Sequence, residues 1–205
     1  MAEITEIRDV RGLIYIYMDG TLAFRVAKCH FARKPLRIGE EIEQDEYLDS
    51  MAALQMNDAY EAALTSLDFS ERTSDELLRS LLRRGFVRPA AEAAVQRLIE
   101  SGIVDDARYA NRIAENAAHK NIGKYALRRK LMSKGISEDE VETALENLHP
   151  EQQKAAARET AAKYLRKYED LPRREARAKL SQALARRGFS WEVVSSVVEE
   201  LTEED

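Results

Sequence analysis

This sequence predicts a mainly α protein. Tandem three-helix repeats form a curved, elongated helical array, with a small N-terminal β-hairpin unit. Three observations carry that prediction. The segment Leu77-x-x-x-Leu81-x-x-x-Gly85-Phe86 recurs as Leu127-x-x-x-Leu131-x-x-x-Gly135-Ile136 and again as Leu180-x-x-x-Leu184-x-x-x-Gly188-Phe189. The register continues past each glycine: Ala91, Ala94, Val95 and Leu98 match Val141, Ala144, Leu145 and Leu148, then Val194, Val197, Val198 and Leu201. A repeat of about 50 residues is the signature of stacked helical units that share a core. Finally, the chain of 205 residues has only 8 Gly and 4 Pro, which predicts short connections.

The elements follow in order. Leu13-Ile14-Tyr15-Ile16-Tyr17-Met18 is aromatic and β-branched, and Thr21–Val26 resembles it. Asp19-Gly20 between them predicts a two-residue type I′ hairpin, because both turn positions need φ > 0. An earlier strand is expected at Ile4–Val10. Leu36-x-Ile38-Gly39 reads as a turn into a helix near Gln44–Leu54. A hairpin alone is marginal, so this unit should pack on the first helices.

From about Asp58 the pattern is helical. Repeat one would use Ala59–Leu67, Ser74–Arg84 and Ala90–Ser101. Repeat two would use Ala107–His119, Lys124–Lys134 and Glu138–Leu148, and repeat three Gln152–Tyr168, Arg173–Arg187 and Trp191–Glu200. The expected domains are 1–57, 58–104, 105–149 and 150–205. Thr73-x-x-Glu76 and Ser137-x-x-Glu140 are capping boxes. Gly85, Gly135 and Gly188 follow basic residues and predict left-handed C′ positions. Leucines four apart give each second helix one buried stripe.

Composition bounds the function. There is no run of 18 apolar residues, hence no expected membrane span. The N-terminus lacks a basic region followed by an apolar stretch, so no secretory signal is expected. The single cysteine, Cys29, excludes an internal disulfide and points to an intracellular compartment. It reads as a packed or half-exposed thiol with no base or metal set nearby. The formal net charge is −5 but unevenly spread: residues 40–76 hold twelve acids against Arg72 alone, and residues 116–137 hold six bases and no acid. Such a dipolar molecule suits a partner with complementary patches better than nonspecific duplex binding.

Basic residues recur at the second-helix ends: Arg83-Arg84, Lys134 and Arg186-Arg187. Each can serve as a helix-dipole cap, worth about 0.3–1 kcal/mol. Together they make a periodic row. In the middle repeat, Lys124, Arg128, Arg129, Lys130 and Lys134 flank the Leu127/Leu131 stripe without interleaved acids. That is unlike most solvated helices. These nine residues are the candidate partner-binding set. Asp105-Asp106 reads as helix-start charge rather than an acid–base or metal pair. His30, His119 and His149 lie far apart and show no ligand spacing. Trp191, Tyr109, Tyr125, Tyr164 and Tyr168 read as core or half-buried. No catalytic, metal or cofactor site is expected.

With these residues aligned, the chain resembles the RecX family, the bacterial regulators of the RecA recombinase. The resemblance covers about residues 58–202, with a looser likeness in the N-terminal β unit. Its segments are Arg72-x-Ser74-x-Glu76-Leu77, Gly102-Ile103-Val104-Asp105-Asp106-x-Arg108-Tyr109-Ala110, Gly123-x-x-x-Leu127-x-x-x-Leu131-x-x-Lys134-Gly135-Ile136 and Arg186-Arg187-Gly188-Phe189. The resemblance implies a cytoplasmic, non-enzymatic protein that binds along the groove of the RecA–DNA filament. It implies modulation, usually inhibition, of RecA ATP hydrolysis, strand exchange and co-protease activity. A monomer is expected, with weak contact to single- or double-stranded DNA as a secondary partner. The strongly acidic stretch from 40 to 76 departs from the family pattern. Two other classes compete: a direct DNA-binding helical module, and a helical scaffold for another protein.

Overall fold

The structure, a computed structural model, describes residues 1–117, 119–168 and 170–203. It divides into two compact units, Met1–Asp105 and Asp106 onward, each treated by itself below.

The first unit opens with β1 (Ala2–Val10), β2 (Leu13–Met18) and β3 (Thr21–Ala27). Both expected turn positions, Asp19 and Gly20, have positive φ (48° and 79°), so the hairpin forms as its turn chemistry dictates. A second tight turn at Arg11-Gly12 (φ 53° and 83°) joins β1 to β2, where no Asn or Asp announces it. Ile14, Ile16 and Met18 alternate inward along β2. The one-turn helix α1 (Lys28–Phe31) follows. A two-residue strand, β4 (Glu41–Ile42), then completes an antiparallel sheet in the order β3-β2-β1-β4. The hairpin unit is thus a four-stranded sheet. β4 is too short to show an alternating pattern in the sequence.

The two helices expected at Gln44–Leu54 and Ala59–Leu67 are one, α2 (Gln44–Phe69). The polar Asn57-Asp58 step suggested a break, yet no Gly or Pro interrupts the run. Asp58 is an exposed residue on a continuous helix and bonds outward. Helices α3 (Ser74–Arg83) and α4 (Arg88–Glu100) complete the first repeat. Sheet and repeat share one core, running from Ile4 and Ile16 through Met51, Leu77 and Leu81 to Leu98. Gln55, fully buried, ties the layers. Its Oε1 accepts from the Val87 amide at 2.7 Å, and its Nε2 donates to the Gly85 carbonyl at 3.2 Å. Burial pushes the Tyr47 phenol up to about 12, with Glu40 a lesser cause. It therefore stays protonated and donates to the Lys34 carbonyl at 2.8 Å.

The second unit holds α5 (Asp106–Glu115), α6 (Lys124–Ser133) and α7 (Glu138–Glu146), then α8 (Pro150–Leu165), α9 (Arg173–Arg186) and α10 (Trp191–Glu203). Each triplet has its own core, one around Leu127, Leu131 and Val141 and the other around Leu180, Leu184 and Val197. Both capping boxes are formed, with reciprocal Thr73/Glu76 and Ser137/Glu140 bonds. The three glycine turns repeat the same geometry. Gly85, Gly135 and Gly188 have φ of 86°, 79° and 83°. The next amide (Phe86, Ile136, Phe189) reaches back to the carbonyl of Leu81, Leu131 or Leu184 at 3.2, 3.4 and 3.3 Å. That six-to-one bond is the Schellman motif. Helix ends differ from expectation by a few residues. The largest difference is α5, which stops at Glu115 rather than 119.

Candidate partner-binding surface

The nine candidate cations separate by unit. In the first, Arg83 and Arg84 close α3 and are exposed. Arg84 is committed locally: its Nη1 donates to the Ala62 carbonyl at 3.1 Å and its guanidinium lies 5.7 Å from the centre of the Phe86 ring. That leaves Arg83 as the outward charge of the pair.

The other seven lie in the second unit. Leu127 and Leu131 are fully buried, as the stripe requires. On α6, Lys124 and Arg129 are exposed, while Arg128, Lys130 and Lys134 are half-buried. Arg128 is ion-paired with Glu142 of α7, so the acid missing between residues 116 and 137 is supplied across the helix pair. Arg128 is a structural partner first. Arg186 ends α9 and Arg187 is its C-cap, both exposed.

The structure joins the two cationic sets through backbone. The Gly123 amide donates to the Arg187 carbonyl at 3.1 Å, and the Tyr125 amide to the Gly188 carbonyl at 2.8 Å. The start of α6 therefore seats directly on the turn between α9 and α10. Two glycines permit the approach. A Cβ on Gly123 would stand 2.1 Å from the Phe189 nitrogen, and one on Gly188 2.2 Å from the Ala126 nitrogen. Lys124, Arg186 and Arg187 consequently share one edge of the unit. No acidic side chain among the described residues pairs with these three or with Arg129. Their charges are therefore not offset by an ion pair within the described part of the chain.

Two aromatic residues correct the reading of the sequence. Trp191 is 71% exposed and Tyr125 52%. Trp191 stands three and seven residues before Val194 and Val198, on the stripe that predicted burial, but as the first residue of α10 it overshoots its packing partners. Tyr125 lies two residues, about 200°, from Leu127, which places it on the opposite helix face. The spacing held that signal. Tyr109 is buried as expected, and Tyr164 and Tyr168 are half-buried and stacked at 6.2 Å. Beside Trp191, the Glu192 carboxylate accepts from its own amide and from the Ser190 hydroxyl. These bonds hold it below the usual carboxylate range and commit it to the start of α10.

A third cluster lies in the first unit. Cys29 is exposed, with Sγ 3.8 Å from Nδ1 of His30. His30 is buried and its Nε2 lies 2.9 Å from Asp58 Oδ2, an oxygen that Arg33 Nη1 also approaches at 3.4 Å. The sequence reading left His30 and Cys29 isolated; the fold brings Asp58 to them from 28 residues away. The arrangement anchors α1 to α2. Among the described residues no group of three or more His, Cys, Asp or Glu could hold a metal, and no helix is long and apolar enough to cross a membrane.

Comparison with known proteins gives a consistent picture. Models of the first, second and third three-helix domains of RecX match residues 59–98, 105–145 and 151–198. The regulatory protein RecX of Limosilactobacillus reuteri is 28% identical over 204 residues, covering 98% of this chain and 77% of that protein. The protein of the same name from Lactobacillus delbrueckii subsp. bulgaricus is 30% identical over 211 residues, covering 100% of this chain and 76% of its own length. A crystal structure of regulatory protein RecX superposes over the whole of both chains with a TM-score of 0.66 at 28% identity. RecX from Lactobacillus salivarius shares the fold at a TM-score of 0.68 and 24% identity, over 73% of this chain and 97% of that one.

Proposed function

The chain belongs to the RecX family, and from that premise we propose that it regulates the RecA recombinase by binding along the RecA–DNA filament, in the direction of inhibition. The observation that carries this reading is the ordered match of all three domain models. It is supported by a cationic edge on the second unit that no acid among the described residues pairs with. Within the nine candidate residues the reading separates roles. Lys124, Arg129, Arg186 and Arg187 are outward contacts, whereas Arg84 and Arg128 first hold their own units together. Contacts distributed over several repeats add through effective concentration rather than through one tight patch. A regulator that touches neighbouring protomers biases the filament by the difference in its affinity for the filament's states. The protein acts as a monomer in the cytoplasm and performs no chemistry of its own.

The test is RecA ATP hydrolysis on single-stranded DNA with increasing amounts of this protein. Hydrolysis should fall with dose. Lys124→Glu with Arg129→Glu should weaken the effect at least about tenfold in the dose required, a loss of about 1.4 kcal/mol. Arg11→Glu with Arg37→Glu, in the first unit, should leave it unchanged. A parent protein with no effect on hydrolysis at any dose would sink the proposal.

A further inference from the structure

We infer that Cys29 is a site of reversible S-thiolation: its thiol exchanges with small-molecule disulfides, with His30 taking the thiol proton and Asp58 positioning His30. The inference stands apart from the regulatory reading. It makes the chain the substrate of a modification rather than a catalyst.

The argument begins with the imidazole. His30 is 5% exposed, and its ring centre lies 5.3 Å from that of Phe86. Its two nitrogens face different partners. Nε2 lies 2.9 Å from Asp58 Oδ2, and Nδ1 lies 3.8 Å from Cys29 Sγ. An ionised carboxylate only accepts hydrogen bonds, so Nε2 carries the hydrogen and donates it to Asp58. In the neutral ring Nδ1 is then the lone-pair nitrogen, and it faces the thiol. The three side chains line up as nucleophile, base and orienting carboxylate. They do not converge on a point as metal ligands would, because the two ring nitrogens aim in different directions.

Access and surroundings supply the second observation. Cys29 is exposed while the base beside it is buried. Residues 25–34 carry Arg25, Lys28, Arg33 and Lys34 and no acid. Asp9 and Asp58, which reach α1 from other elements, are met by Lys28 at 2.6 Å and by Arg33 at 3.4 Å. An accessible thiol in cationic surroundings, next to a base, is the setting of reactive rather than inert cysteines.

Thiol–disulfide exchange fits this arrangement because it needs a thiolate with open access to an S–S bond, and no oxyanion donors. The step balances. His30 Nδ1 takes the Cys29 proton, and Asp58 offsets the imidazolium that forms. The Cys29 sulfur attacks one sulfur of the disulfide. A new S–S bond to the protein forms as the old one breaks. The leaving thiolate departs with the electron pair and takes up the proton. Cys29 is oxidised, and the departing half of the small disulfide is reduced. The chain has no second cysteine, so the mixed disulfide persists until an external thiol removes it.

The experiment uses the full chain without RecA. Oxidised glutathione is the probe, and intact mass reads the gain of one glutathione at the single cysteine. The parent should react at least about threefold faster than N-acetylcysteine at about pH 7, and dithiothreitol should restore its mass. The factor is modest because a free thiol is only a few per cent thiolate there, yet nucleophilicity falls as the thiolate becomes easier to form. Asp58→Asn should slow exchange at least about threefold, since an amide can donate to Nε2 and turn the protonated nitrogen toward the thiol. Asp58→Glu should recover part of the rate. His30→Gln should fall to the rate of N-acetylcysteine or below. The sign separates this role from anchoring alone. If His30 and Asp58 only hold α1 against α2, their replacement loosens α1, and exchange is unchanged or faster. The Asp58 side chain is 46% exposed, so Asp58→Asn keeps the inference testable should His30→Gln fail to fold. Alkylation by iodoacetamide, which involves no disulfide, should rank the proteins in the same order. A parent that reacts no faster than N-acetylcysteine, or an Asp58→Asn variant that exchanges as fast as the parent, would overturn the inference.

Discussion

Gly123 is the most exacting test of how the second unit is assembled. It is the N-cap of α6 with φ −77° and ψ 160°, an extended conformation open to any residue. By helix chemistry alone, Gly123→Ser should be neutral or gain a few tenths of a kcal/mol, since serine caps better than glycine. The packing predicts the opposite sign. A Cβ would sit 2.1 Å from the Phe189 nitrogen and 2.2 Å from the Gly188 carbonyl carbon, both backbone atoms that cannot rotate away. Relief requires a separation of more than 1 Å, roughly, before ordinary contact is restored. That movement opens the two bonds that seat α6 on the turn, Gly123 to Arg187 and Tyr125 to Gly188. At about 0.5–1.5 kcal/mol net for each bond, the loss is about 1–3 kcal/mol. For a unit of roughly this size it corresponds to a fall of about 5–20 °C in melting temperature. Far-UV circular dichroism and Trp191 emission should both report it, the latter because Trp191 lies three residues past the contact. Gly102→Ala supplies a reference for backbone strain alone, since its φ is +69° and nothing lies within 4 Å of the added carbon. If Gly123→Ser melts at or above the parent temperature, the close contact between α6 and the turn is wrong. The composite edge would then lose its basis.

Other perturbations address separate links. Gln55→Leu strands the Val87 amide inside the first unit and should cost about 2–4 kcal/mol in urea unfolding with an unchanged m-value; a loss under about 0.5 kcal/mol would show that the bridge is not formed in solution. Arg128→Glu should destabilise, and Glu142→Arg in the same chain should recover part of the loss, with a coupling of about 0.5–1 kcal/mol for this half-exposed pair; purely additive effects would dissolve the pair. Residues 1–57 alone should show no cooperative melt, whereas 1–105 should, because the sheet and the first repeat share one core; a sharp transition in the shorter fragment would contradict this. Glu200 is held below the usual carboxylate range by its hydrogen bond from Arg158, so its contribution is complete above its unfolded value of about 4.3 and disappears as pH falls through the folded value. Glu200→Gln should therefore flatten the acid fall in melting temperature below about pH 5, and superimposable profiles would refute the linkage.

Much of this fold was legible because its local causes are short-range. The capping boxes, the Asp19-Gly20 hairpin and the three glycine turns each follow from residues within five positions, and each formed. What escaped the sequence required contacts between distant segments. β4 is recognisable only by its pairing with Ala2 and Glu3. The His30–Asp58 contact spans 28 residues, and the Arg128–Glu142 pair crosses two helices. Trp191 shows how periodicity can mislead. Its spacing to Val194 and Val198 is that of a core residue, but a stripe buries a side chain only where a partner helix lies beside it. At the first residue of a helix that condition fails. Gly123 was visible as the first residue of the segment Gly123-x-x-x-Leu127, yet its reason is a backbone 65 positions later, at Gly188.

The glycine turns also explain how an N-terminal sheet can precede an array of helices. In the second unit the turn at Gly188 receives α6: its carbonyl accepts the Tyr125 amide at 2.8 Å, and the missing side chain makes room for Ala126. In the first unit the turn at Gly85 does the same for β3. Its carbonyl accepts the Ala27 amide at 2.9 Å, and an added carbon would stand 2.5 Å from that nitrogen. A strand end and a helix start thus occupy equivalent positions against two copies of one turn. The shared requirement is an outward backbone amide and a glycine that lets it approach, neither of which depends on the secondary structure that supplies the amide. The sheet therefore completes the first repeat in the way that α6 completes the third. On this account Gly85→Ala and Gly188→Ala should be costly alike, each losing a left-handed conformation and a backbone dock together. Each should exceed Gly102→Ala, which loses the conformation alone. Thermal melts of the three variants that rank Gly102→Ala as the most damaging would break the equivalence.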